Sequence, residues 1–176
     1  MKESNRTQKL TIALFALYIL AIVWIIVFKL QFSVNLLPQI RDINLIPYYE
    51  ENIKDAKVYI QDKVYNMLVF VPYGIYISIL RRNRPFVQKI APIFLTSFAF
   101  ELIQYIFGIG ATDITDLIQN TLGGIIGIGV FYVLQKVFKD KSYIIVNTLA
   151  VVATVLMLAL IGLLLSRTII YTVSPR

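Results

Sequence analysis

ELIQYIFGIGATDITDLIQNTLGGIIG, residues 101–127, decides how this chain folds. It sets a carboxylate, Glu101, inside an apolar run, breaks at a short Gly-rich turn, and restarts with Asp113 and Asp116 at the head of another apolar run. Gly123, Gly124 and Gly127 follow on the second run. Two apolar runs joined by a few residues predict antiparallel transmembrane helices. An ionisable group at membrane depth costs roughly 2.5–3.5 kcal/mol on the lenient insertion scale, so Glu101 marks a place where the chain tolerates a penalty.

The surrounding chain supports a membrane reading. Of 176 residues 58% are apolar, the mean hydropathy is +0.73, and the apolar residues come in blocks long enough to cross a bilayer. The fold class expected is all-α: a polytopic transmembrane bundle of about five spans in one domain, at about 10–28, 64–80, 86–107, 114–138 and 143–165. The chain has no Cys and no His. Thiol nucleophiles, His relays and zinc sites built on these residues are excluded, leaving carboxylates, amides, hydroxyls and backbone for chemistry.

The net charge of +7 could suggest nucleic acid, but its distribution argues against such a partner. Ten of seventeen basic residues fall in three segments: Lys2, Arg6 and Lys9; Arg81, Arg82, Arg84 and Lys89; Lys136, Lys139 and Lys141. The intervening connections are balanced or acidic. That alternation predicts a cytoplasmic N-terminus and an external C-terminus. Leu10–Phe28 is too long for a signal-peptide core and no small-residue cleavage site follows, so an uncleaved first span is expected.

Within the 30–63 connection, Ile53, Ala56, Ile60 and Val64 recur at helical spacing, with Glu50, Glu51, Lys54, Lys57 and Lys63 on other faces. This predicts an amphipathic helix at the outer interface that feeds into span two. Pro72, inside span two, is expected to kink it. In span three Ser97, Glu101, Gln104 and Tyr105 share a face. Glu101 falls about 9 Å below the helix end at 1.5 Å per residue. Asp113, Asp116 and Asn120 share a face of span four. Glu101 and Asn120 are therefore expected at matching depth, with Asn66 entering from span two, in an outer-leaflet pocket made of Asn66, Glu101, Gln104, Asp113, Asp116 and Asn120.

Each of these residues also has a purely structural reading. Asp113 and Asp116 fit an N-cap followed by an acid three residues on. Asn66, Gln104 and Asn120 fit interhelical hydrogen bonding, and Gly123-x-x-x-Gly127 fits close helix approach, within the chain or in a homo-oligomer. Catalytic residues are not identifiable. No cofactor is expected. Three oxygen donors leave a divalent cation open, with Glu101 and Asp116 as its ligands, and the same pair could serve acid–base chemistry.

Taken together, Asn44-Leu-Ile-Pro47-Tyr48, Asn66 with Phe70-Val-Pro72-Tyr73-Gly74, Glu101-Leu-Ile-Gln104 and Asp113-Ile-Thr-Asp116-Leu-Ile-Gln-Asn120-Thr-Leu-Gly123-Gly124 resemble the VanZ-like family over about residues 40–138. The resemblance implies an integral membrane protein of bacterial, mostly Gram-positive, cell envelopes, linked to lowered susceptibility to teicoplanin-type glycopeptides. It carries over Asn44, Pro47, Asn66, Pro72, Gly74, Glu101, Gln104, Asp113, Asp116, Asn120 and Gly123. Membrane lipids, a glycopeptide or a cell-wall precursor are the implied partners; a membrane enzyme modifying a lipid-linked head group is the alternative. Many members place an Arg just before the first Asp, where this chain has Gly108-Ile-Gly-Ala-Thr112. The comparison predicts that the carboxylates here lack an internal counter-ion.

Overall fold

The computed structural model describes residues 5–29, 37, 41–49 and 56–173. Five helices are long and apolar enough to cross a membrane. Helix α1 (Asn5–Ile22) ends in a π-helical turn, Val23–Val27; α2 spans Ala56–Leu80, α3 Phe86–Phe107, α4 Ile114–Phe138 and α5 Lys141–Val173. Two short strands, β1 (Ile43–Asn44) and β2 (Thr112–Asp113), pair in parallel, with Ile43 opposite Thr112 and Asn44 opposite Asp113. The all-α bundle read from the apolar blocks is the observed architecture, with this two-residue pairing added.

The most extensive interface joins α2 to α4. A Cβ placed on Gly123 would sit 1.9 Å from the Met67 carbonyl oxygen, and one on Gly127 2.0 Å from that of Val71. From the other side, a Cβ on Gly74 would meet the Gly124 carbonyl oxygen at 1.9 Å. The two backbones thus touch where only glycine fits, the small-residue packing that membrane helices use in the absence of a hydrophobic drive. Gly123 and Gly127 are therefore occupied within the chain, and that face is not available for an oligomer. Gly124 admits the side chain of Ile93 from α3.

Helix α1 completes the core. Ile22, Ile26 and Val27 pack with Phe70, Tyr73, Ile93 and Phe100. Phe15 lies edge-on to Tyr73 at 5.3 Å, and the Tyr18 hydroxyl donates to the Val69 carbonyl on α2. A buried pair, Thr11 and Asn147, hydrogen-bonds α1 to α5, with Asn147 Nδ2 donating to Thr11 Oγ1 at 3.0 Å. Over residues 141–163, most of α5 faces outward with apolar side chains, as a lipid-facing helix does.

Helix α2 runs unbroken through Pro72. Residues 56–63 are its first turns, so the helical segment expected there does feed into span two, without a break. The remainder of the expected amphipathic segment, including Ile53, lies outside the described residues. Pro92 in α3 deprives the Gln88 carbonyl of its helical donor, and Arg81 Nη1 supplies one at 3.0 Å.

Candidate functional site: a lysine-clamped acidic cluster

The α3–α4 connection builds the site. Helix α3 ends on Gly108, whose φ of 63° is left-handed and suited to glycine, with its N–H returning to the Gln104 and Tyr105 carbonyls. Arg41 donates from Nη2 to the Ile106 carbonyl at 3.1 Å and lies over the Tyr105 ring, capping the same helix end with a cation. Thr112 donates from its backbone N to the Asp42 carbonyl at 2.9 Å and from Oγ1 to the Glu101 carbonyl at 3.1 Å.

Asp113 is the N-cap of α4. Its Oδ1 accepts from Thr115 N at 2.8 Å. In a capping box the acid at the third helical position reaches back to the cap's own N–H. That acid would be Asp116. Here Glu101 takes over from the neighbouring helix, its Oε2 accepting from Asp113 N at 2.9 Å. Glu101 is buried and closes an interhelical cap.

Asp116 is thereby freed for a different partner. Lys63, on the second turn of α2, donates to Asp113 Oδ2 and to Asp116 Oδ1, each at 2.7 Å. The counter-ion expected to be missing is present, supplied from α2 and not from the α3–α4 turn. Two carboxylates with their heads on one helix end repel; a shared ammonium removes most of that penalty and supports two short charge-assisted bonds. Water still reaches the group unequally: the Asp116 side chain is 23% exposed, Asp113 15% and Lys63 14%.

The remaining candidates separate. Asn120 does not meet Glu101: it lies one turn deeper, fully buried, with Nδ2 donating to Ser97 Oγ at 2.9 Å. Its Oδ1 is buried with no hydrogen-bond partner. The register follows from Glu101 pairing with the first residue of the α4 cap, which sets Ser97, four residues earlier, against Asn120. Gln104 turns to α1, donating from Nε2 to the Ile26 carbonyl in the π-helical turn at 3.0 Å. Asn66 is half-buried on α2 and enters no described hydrogen bond.

Asn44 and Pro47 sit in a turn laid over this end of α4. Asn44 Oδ1 accepts from Ile46 N and Nδ2 donates to the Tyr49 carbonyl. Tyr48 N donates to Thr115 Oγ1, and Gln119 Nε2 donates to the Tyr48 hydroxyl, both at 3.0 Å. Sequence reasoning missed Lys63, Thr115 and Arg41. The spacing Asp-x-Thr after a glycine turn could have suggested Thr115, but no local pattern pairs Lys63 with residues fifty positions away.

The cluster is rich in acceptors. Lys63 and two backbone N–H groups serve part of it. Among the described residues no three His, Cys, Asp or Glu side chains come together as a metal site. The Lys63 ammonium holds the position between Asp113 and Asp116 that a cation would take.

The VanZ/LLP1 family profile matches residues 15–135. Protein VanZ of Enterococcus faecium is 34% identical over 131 residues, which are 73% of this chain and 78% of that protein. The chain belongs to the VanZ family. No solved structure matches it significantly. The family match begins well before residue 40, which the packing explains: the second half of α1 is part of the core around α2 and α3. Its end at 135 leaves α5 outside, in keeping with that helix's thin contact with the rest. The VanZ-family chain is thus a multi-pass membrane protein whose acidic cluster is held at one end of the bundle.

Proposed function

We propose that this VanZ-family protein acts at the external face of the cell membrane, where its acidic cluster engages a donor-rich envelope ligand, a hydroxyl- or amine-bearing lipid head group or cell-wall precursor, and lowers susceptibility to teicoplanin-type glycopeptides. The observation that carries the reading is the lysine-clamped pair Asp113 and Asp116, water-accessible through Asp116. Such a group of acceptors favours ligands bearing O–H or N–H, and a cationic or polyol ligand would compete with Lys63 for the two carboxylates. The family relationship supports the envelope setting, and the positive-inside distribution of the basic loops supports an external site.

The test uses susceptible bacteria carrying the wild-type protein, the Glu101→Gln/Asp116→Asn variant at matched membrane level, or an empty vector, and measures cell-bound fluorescent teicoplanin. Binding reduced by wild type and restored by the variant supports the reading. Equal binding in all three would remove it. A membrane enzyme using the same carboxylates has no separate observation in its favour, since Glu101 is committed to the Asp113 N–H and Lys63 stands between the aspartates.

A further inference from the structure

At the opposite end of the bundle α2, α3 and α4 leave a second feature. Ser78 lies fifteen residues beyond Lys63 on α2, about 22 Å along the axis. It borders a cleft of about 400 Å³ together with Arg82, Lys89, Ile128, Gly129 and Phe131. Its walls are mainly apolar, two cations stand on its border, and no carboxylate lines it.

Four observations distinguish this cleft from an ordinary gap. Ser78 is 2% exposed and its Oγ has no hydrogen-bond partner, a costly arrangement unless something brings an acceptor or donor to it. Arg82 is held in place: with the Gln135 amide turned to satisfy both groups, its oxygen accepts from Arg82 Nε and Nη2, each at 3.1 Å, and the guanidinium lies over the Tyr143 ring at 5.7 Å. Its other N–H groups remain for a further acceptor. Lys89 enters no described hydrogen bond or ion pair. Gly129 is open as well, since a Cβ there would meet nothing within 4 Å.

We propose that this cleft binds an anionic phospholipid of the leaflet on the basic side of the membrane, with its phosphate between Arg82 and Lys89 and part of an acyl chain along Ile128, Gly129 and Phe131. Charge complementarity selects the phosphate. The apolar walls and the position among helix ends at the membrane boundary select a lipid over a soluble anion. An oriented Arg, a free Lys and an unpartnered buried hydroxyl around one cavity go beyond the loop charge that membrane orientation requires.

The experiment takes the purified full-length protein and counts retained lipid by native mass spectrometry after mixing with phosphatidylglycerol or phosphatidylcholine. Two variants lie outside the packing: Gly129→Leu, which fills the cleft, and Lys89→Gln, which removes a cation with no described partner. Matching size-exclusion profiles establish that both are folded. Wild type is expected to retain phosphatidylglycerol about tenfold over phosphatidylcholine, with that preference lost in both variants. Equal retention of the two lipids by wild type, or undiminished phosphatidylglycerol in Gly129→Leu, overturns the proposal. Inorganic phosphate added in parallel separates the sources: no displacement of lipid supports the assignment, whereas displacement at equal concentration would make this a soluble-anion site and overturn it.

Discussion

At the scale of single residues, Lys63 decides the electrostatics of the acidic cluster. Replacing it with Met leaves Asp113 and Asp116 facing each other without a cation. We expect a stability loss of about 1–3 kcal/mol, less than the 3–5 kcal/mol of a fully buried broken pair because water reaches Asp116. The loss is measured by thermal unfolding in detergent; an unchanged melting temperature would show the clamp to be idle. A cation supplied from the α3–α4 connection offers a second test. Thr112→Arg, which puts a cation next to Asp113, should restore part of what Lys63→Met loses, and a double variant no better than the single would argue that position as well as charge matters. Asp113→Ala removes both the Lys63 contact and the α4 N-cap, whose capping share alone is about 1 kcal/mol. It should therefore destabilise more than Asp116→Ala, comparably measured.

At the scale of elements, the α2–α4 contact holds the cluster together, because Lys63 and the two aspartates sit on these two helices. Gly123→Ala places a methyl against the Met67 carbonyl, and helix backbones cannot yield as a side-chain tip can. Overpacking of this kind costs typically 1–3 kcal/mol. Gly123→Ala should lower the folded fraction recovered from membranes, while Gly129→Ala, on the same helix but facing open space, should leave it unchanged. Equal behaviour of the two would deny the backbone contact its role. The expected amphipathic helix belongs at this scale too. Helical spacing across 53–64 was legible, but spacing does not say where one helix stops. Residues 56–63 continue into α2, and this is what carries Lys63 to the aspartates.

At the scale of the whole molecule, five apolar helices and the positions of the basic loops define a topology that can be read directly, because the chain contains no cysteine. A single cysteine introduced at Ala111, beside the acidic cluster, should react with a membrane-impermeant maleimide in intact cells, and one at Asn83, in the basic turn, only after lysis. The reverse pattern would invert the orientation and move the acidic cluster to the cytoplasmic face.

The sequence by itself determined the membrane class, the five spans, the short α3–α4 connection, and the place of Glu101, Asp113 and Asp116 on either side of that connection, because hydropathy, span length and rare intramembrane charge are properties of contiguous residues. It also carried the family resemblance. Partner choice was not legible. Glu101 and Asn120 share no depth, Gln104 serves α1, the glycine ladder is consumed within the chain, and the missing cation arrives from α2. Each of these depends on the rotation and vertical offset of one helix against another. Backbone contacts at Gly74, Gly123 and Gly127 and the Glu101–Asp113 cap fix those offsets, and no local pattern encodes them; only the tertiary structure decides which polar group meets which.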